Sequence, residues 1–267
     1  MDLNNANYKM YMERMDTSYT KTTKGLIPMF AKGKTLDVGC GSGVLLRQLK
    51  DAKGIDLNPK AVGICNEQNL NAECISLHDV EGTYDTIIFS SVLHEFSSYD
   101  DHQRYTEWPI LEALKDANRK LNEDGQIIIR DGIKGKKIYA TLTAKNVKVV
   151  EDFKKYVIDA PMWDNDTFVV YDDLKITAPI YLLKEFMFTY TWGPDSYPRE
   201  VQEQYGILRP GKWLDLVNKA GFKVTCLKIK EEEYADYLSE HFERDDTLEY
   251  IFKDSTIFLV AKKCKAI

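Results

Sequence analysis

Asp37, Gly39, Gly41, Gly43 and Asp56 stand at the spacing of a site for the sugar of a nucleotide. They belong to the runs Thr35-Leu36-Asp37-Val38-Gly39-Cys40-Gly41-Ser42-Gly43 and Ala52-Lys53-Gly54-Ile55-Asp56-Leu57-Asn58-Pro59. Three glycines in five positions let a backbone bend sharply and approach a ligand where a Cβ would collide. A helix over residues 44–50 would aim free N–H groups at that ligand. An acidic side chain at the end of the following strand accepts hydrogen bonds from ribose hydroxyls. Asp56 follows Asp37 at about the 20-residue distance such a unit needs. A second set, His94, Glu95 and Asp131, holds the side chains available to take up a proton.

These residues need strands to carry them. Leu36 and Val38 suit a buried strand, and Asn58-Pro59 opens a helix after the second one. Residues 72–79 alternate like a third strand that ends in Asp79. The continuous apolar run within 84–96 reads as a fourth strand buried on both faces, as in a parallel sheet. Residues 126–132 are a fifth. In an open α/β sheet, ligands meet the C-terminal ends of the strands. Ser90, Ser91, His94 and Glu95 lie at the end of the fourth strand, and Arg130 and Asp131 at the end of the fifth. Residues 133–209 break the alternation and are too long for a bare connection. They hold Trp163 and the aromatic tract from Tyr181 to Tyr197, beside Arg199 and Arg209. A helix over 213–220, a strand over Phe222–Lys230 and a last strand over 255–262 complete the pattern. Residues 231–243 read as a charged, solvated segment.

Two ligands compete for the glycine run. The dinucleotide fingerprint G-x-G-x-x-G/A fails, because its sixth position, counted from Gly39, is Val44. Asp37-x-Gly39-x-Gly41-x-Gly43 instead resembles the first motif of the class I S-adenosylmethionine-dependent methyltransferases. The resemblance runs through most of 35–132 and returns at 210–263. It implies a Rossmann-like, seven-stranded, mostly parallel α/β sheet with an antiparallel last strand. The methyltransferase domain would then be 1–132 with 210–267. Residues 1–34 would be N-terminal cover helices, with Tyr11 and Tyr19 as pocket candidates, and 133–209 a substrate cap insertion.

The resemblance further implies S-adenosylmethionine as cofactor, held by Asp37, Gly39, Cys40, Gly41, Gly43, Asp56, Leu57, Asp79, Val80 and Ser90. Asp79 has two readings, a partner of the adenine amino group or a turn aspartate capping the next segment. Trp192, Arg199 and Tyr190 are the substrate candidates. His94, Glu95 and Asp131 are the catalytic candidates, and no metal site is expected. The implied reaction is in-line transfer of a methyl group to an oxygen or nitrogen of a small molecule. An RNA or nucleotide methyltransferase and a binding-only protein are the alternatives. No Asp/Asn-Pro-Pro-Tyr stretch follows the fourth strand, and no cysteine follows a proline. The first absence argues against amino methylation of adenine or glutamine, the second against methylation of cytosine C5.

The chain has 267 residues and a formal net charge of −6. That balance gives no general electrostatic reason to bind nucleic acid. The five cysteines are scattered with no C-x-x-C pair, so neither a disulfide framework nor a zinc site is signalled. A polar, acidic start is wrong for a signal peptide, and no apolar run approaches the roughly 20 residues of a membrane span. A cytoplasmic enzyme with reduced thiols is expected.

Overall fold

Five strands run from the glycine motif to the middle of the chain: β1 (Thr35–Val38), β2 (Ala52–Ile55), β3 (Ala72–Glu73), β4 (Tyr84–Ser90) and β5 (Leu121–Gly132). Three more, β6 (Tyr139–Thr143), β7 (Val170–Asp172) and β8 (Lys175–Pro179), form a separate antiparallel sheet. Strands β9 (Phe222–Lys230) and β10 (Thr256–Lys263) return to the first sheet. Its order is β3-β2-β1-β4-β5-β10-β9. Neighbours from β3 to β5 pair parallel, and β10 is antiparallel to both β5 and β9. This is the expected Rossmann-like sheet. The computed structural model describes Met12 and residues 23–162, 169–230, 238 and 240–265. The leading segment with Tyr11 and Tyr19, and Trp163, lie outside the described residues.

Alternation along the central strands builds two apolar layers. Ile87, Phe89, Ile127 and Ile129 point to one face. There they meet helix α4 (Trp108–Lys120) through Ile110, Leu114 and Ala117, and helix α8 (Pro210–Lys219) through Trp213, Leu216 and Val217. Ile88 and Ile128, one residue out of phase, point to the other face, with Ile27, Leu45 and Phe258. All of these central strand side chains are fully buried, which is why the strands read as continuous apolar runs. Among the described residues, further helices are α1 (Ile27–Phe30), α2 (Pro59–Glu67), α3 (Leu93–Ser98), α5 (Val147–Asp159), α6 (Ile180–Thr191), α7 (Tyr197–Glu200) and α9 (Asp246–Phe252).

Three local expectations are corrected. The helix expected over 44–50 is a single 3-10 turn, Leu46–Gln48. The chain must re-enter the sheet at Ala52, which leaves no room for more. The third strand stops at Glu73, because Asp79 and Val80 donate their N–H groups back to Ser76 O and close a turn. The segment read as solvated contributes Leu238 and Phe242, both buried.

Those two side chains belong to a second core. It joins Leu142, Val149, Phe153, Tyr156, Ile176 and Phe186 from residues 133–209 to Leu238, Phe242, Leu248 and Ile251 from the connection between β9 and β10. Helix α5 supplies Val149, Val150, Phe153 and Tyr156 at helical spacing. Asn146 caps it, its side chain accepting the Val149 N–H at 3.2 Å. Each large side chain buried there contributes about 1.5–3 kcal/mol, so the two stretches share an apolar core apart from that of the main sheet.

Candidate active site

The glycine run turns at the end of β1. Gly39, Gly41 and Gly43 all take left-handed φ angles, +69°, +53° and +80°. A Cβ on Gly39 would stand 2.5 Å from Val92 Cγ2, and one on Gly43 2.5 Å from Leu70 Cδ1. Asp56, at the end of β2, ties this loop down. It accepts the Gly41 N–H at 3.0 Å and the Asn58 N–H at 2.8 Å, one on each oxygen. Each carboxylate oxygen keeps a lone pair for a further donor. Leu57 beside it is 75% exposed, a large apolar side chain left uncovered. Asp37 is buried under the loop, and burial pushes its carboxyl up to about 7, with Lys24 opposing and Asp56 adding to the rise. Ser90 Oγ, at the end of β4, is buried and has no hydrogen-bond partner among the described residues.

Helix α3 starts directly behind Ser91, a residue at φ +57° whose Oγ receives the Arg130 guanidinium. This turn carries His94 inward. His94 is 4% exposed. Its Nδ1 lies 2.7 Å from Asp131 Oδ1 and its backbone N–H donates to Asp131 Oδ2 at 3.2 Å. Its Nε2 faces Glu203 Oε2 at 3.5 Å. Glu203 Oε1 accepts the Tyr99 hydroxyl at 2.8 Å and Arg199 Nε–H at 3.2 Å. Arg199 also approaches Glu95 Oε1 at 3.5 Å. Burial works against protonation of His94, but Asp131 and Glu203 outweigh it and hold the imidazolium well above its ordinary range. Glu203 is pushed up by burial and pulled lower overall by His94, Arg199 and Tyr99. Glu95 goes the other way: burial first and the Glu203 charge second raise it to about 7, and Asp56 is near enough to add to the rise.

A family profile described as a methyltransferase domain matches residues 11–158, more than half of the chain. The chain belongs to the methyltransferase-domain family. It is a class I methyltransferase, and S-adenosylmethionine is its methyl donor. Solved structures share the fold at low identity. A chain of the complex between the Haloferax volcanii Trm112 methyltransferase activator and the putative methyltransferase is 11% identical, with 98% of each chain covered and a TM-score of 0.58. A methyltransferase from Thermotoga maritima, described as a possible histamine N-methyltransferase, is 14% identical over 94% of each chain, with a TM-score of 0.52. One from Mesorhizobium loti is 12% identical over 90% of this chain and 97% of that one, also with a TM-score of 0.52. No curated protein matches the sequence.

The residues of this methyltransferase fit its cofactor. The orphaned Ser90 Oγ, the uncovered Leu57, the spare lone pairs of Asp56 and a loop that excludes side chains at Gly39 and Gly43 all lie at the C-terminal ends of β1, β2 and β4. Cys40 and Val80 are buried. Asp79 is exposed, and Ser76 Oγ donates to its carboxylate at 2.6 Å.

Of the other sequence candidates, His94, Glu95, Asp131 and Arg199 come together, as described. Tyr190 does not join them. Its hydroxyl donates to Asp152 at 2.9 Å and its ring lies 5.0 Å from that of Phe186, packed against the second core. Trp192 packs with Met12, Ala61 and Ile64 on the α2 side.

The sequence reading missed Glu203, Tyr205, Tyr99 and Glu185. Tyr205 stacks 5.0 Å from His94. Glu185, buried on α6, accepts the N–H groups of Tyr205 at 2.7 Å and Gly206 at 2.6 Å, and burial lifts its carboxyl to about 7. The i,i+4 spacing of Glu203 from Arg199 pairs the two, but no sequence signal links Glu203 to His94. A cation also has a candidate place here: one atom each of His94, Glu95 and Glu203 lie within 4.8 Å of one another. Arg199 and the charged His94 already supply positive charge to those carboxylates.

Proposed function

We propose that this methyltransferase moves the methyl group to an oxygen or nitrogen of a small molecule, in the cytoplasm. The observation that carries the reading is the meeting of Arg199, Glu203 and Tyr205, all from residues 133–209, with His94 and Glu95 at the end of β4. A segment that completes the charged cluster over the strand ends suits a cap, and it is the natural recogniser of a small acceptor. Five free thiols accord with a reducing compartment. Among the described residues, no helix is long and apolar enough to cross a membrane.

In this reading Asp56 holds the ribose hydroxyls, the loop of Gly39, Cys40, Gly41 and Gly43 takes the amino-acid portion with Asp37 beneath it, and Leu57, Val80 and Asp79 border the adenine. Ser90 donates toward the centre of the site. S-adenosylmethionine, when bound, supplies the methyl group as an electrophile and its sulfur as the leaving group. His94 is no base here, because Asp131 and Glu203 occupy both ring nitrogens. With Asp131 it positions the α3 turn and the cap residues. Glu95, at about 7, is the group that takes up a proton. Trp192 and Arg199 shape the acceptor's side of the pocket.

Labelled S-adenosylmethionine offered with a fractionated cell extract tests the proposal. Label in small molecules is the expected result. Label in RNA would establish the nucleic-acid alternative, and binding without transfer to any fraction would leave a non-catalytic protein.

A further inference from the structure

The carboxylates around His94 are not equally compensated, and the difference points to a ligand. Asp131 is saturated: it accepts from His94 Nδ1 at 2.7 Å, the His94 N–H at 3.2 Å and the Gly132 N–H at 2.8 Å. Glu203 accepts twice on Oε1, from the Tyr99 hydroxyl and Arg199 Nε, and its Oε2 faces His94 Nε2 at 3.5 Å, so both oxygens have partners. Glu95 has one contact among the described residues, the Arg199 guanidinium at 3.5 Å, on Oε1 alone. Its side chain keeps 34% of its exposure. Of Asp131, Glu203 and Glu95, which face the cations His94 and Arg199, Glu95 is the one with the fewest partners. Asp56 across the site adds negative charge there.

We propose that the methyl acceptor is an amine, which Glu95 recognises in its ammonium form. This rests on the small-molecule reading above and narrows it. An ammonium is a compact charge with three donors, matched to a carboxylate whose second oxygen has no partner among the described residues. A carboxylate or phosphate acceptor would meet Glu95, Glu203 and Asp56, and the guanidinium of Arg199 is already bound between two of them. An alcohol would bring no charge for Glu95, and the imidazole that commonly activates alcohols is here locked between two acids. The proton balance closes with the groups of this site. The ammonium gives one proton to Glu95. The freed nitrogen lone pair forms the new N–C bond while the bond from methyl carbon to sulfur breaks, its electron pair staying on sulfur. Glu95 then releases its proton to water.

The test uses the full chain saturated with S-adenosylhomocysteine. Calorimetry with phenethylamine, histamine and putrescine is set against 2-phenylethanol and phenylacetate. At least one amine is expected to bind, and no neutral or anionic probe to bind more tightly. Glu95→Gln is expected to weaken the amine roughly 10- to 100-fold, the scale of a charged hydrogen bond, while S-adenosylhomocysteine binding is retained and shows the variant to be folded. Binding of no amine, preference for the alcohol or the acid, or an amine affinity unchanged in Glu95→Gln each overturns the proposal. Failure of the broader reading looks different: S-adenosylhomocysteine itself does not bind, or methyl groups are found in RNA.

Discussion

Asp131 grips His94 from two sides, with one oxygen 2.7 Å from the ring Nδ1 and the other accepting the backbone N–H at 3.2 Å. Asp131 lies near the end of β5 and His94 in the first turn of α3, just past the neighbouring parallel strand β4, so the grip sets how α3 leaves the sheet.

This pairing has a pH signature. The folded-state pKa of His94 is raised, with burial opposing and Asp131 and Glu203 prevailing. Its contribution to stability is therefore fully present below the unfolded value of about 6.5 and is lost as pH climbs from there through the raised folded value. The melting temperature of the wild type should fall over that window. His94→Gln should remove that part of the fall, and an unchanged slope would show that the ring is not charged in the native protein.

Glu95 should govern the kinetic profile. Facing Glu203, Arg199, His94 and Asp56, it titrates at about 7, and a proton acceptor must be ionised to act. We expect kcat/KM to rise with pH through about 7 in the wild type and to lose that inflection in Glu95→Gln. An inflection that survives the substitution assigns it to another group.

Asp56→Ala should weaken S-adenosylmethionine by roughly 1.5–3 kcal/mol, the range for hydrogen bonds to a charged group. Titration calorimetry measures it directly, with NAD as the control ligand that should not bind. Unchanged affinity in a folded variant would move the ribose contact elsewhere.

Glu185 joins α6 to the loop that presents Glu203 and Tyr205. Glutamine offers one acceptor oxygen for two N–H groups, which leaves one buried donor unmet at a cost of about 1–3 kcal/mol. Glu185→Gln should thus lower kcat with little change in cofactor affinity. A variant with wild-type kcat and a lower melting temperature would limit Glu185 to a structural role.

Tyr190→Phe removes the hydrogen bond to Asp152. Stability should drop by about 1 kcal/mol with kcat/KM unchanged, measured by denaturant unfolding and steady-state assay. A large loss of activity would return Tyr190 to the substrate side.

The parts legible in the sequence were those whose geometry is fixed by short covalent spacing. Asp37, the three glycines and Asp56 lie on two adjacent strands and the turn between them, so their types and intervals suffice. Strands β4 and β5 announced themselves because burial on both faces demands Ile87-Ile88-Phe89 and Ile127-Ile128-Ile129. Glu203 could not be found that way: it reaches His94 across more than a hundred residues, and only tertiary packing joins them. Tyr190 lies apart from the His94 cluster because an aromatic tract on a helix serves whichever face it lines. Its four-residue offset from Phe186 sets both on one stripe, and that stripe faces inward. The turn at 46–48 was mistaken for a helix because local propensity says nothing of how soon the chain must return to the sheet.

The second core has a topological consequence. Its apolar side chains come from two separate stretches of chain, 133–209 and 238–251, each of which leaves the main sheet and comes back to it. Four backbone crossings therefore moor this unit, where a simple excursion would have two. Phe242, bridged to Ala144, works as a rivet between the stretches. Excising 133–209 as a cassette would leave Leu238, Phe242, Leu248 and Ile251 bare, so transplanting specificity from a relative requires both stretches to travel together.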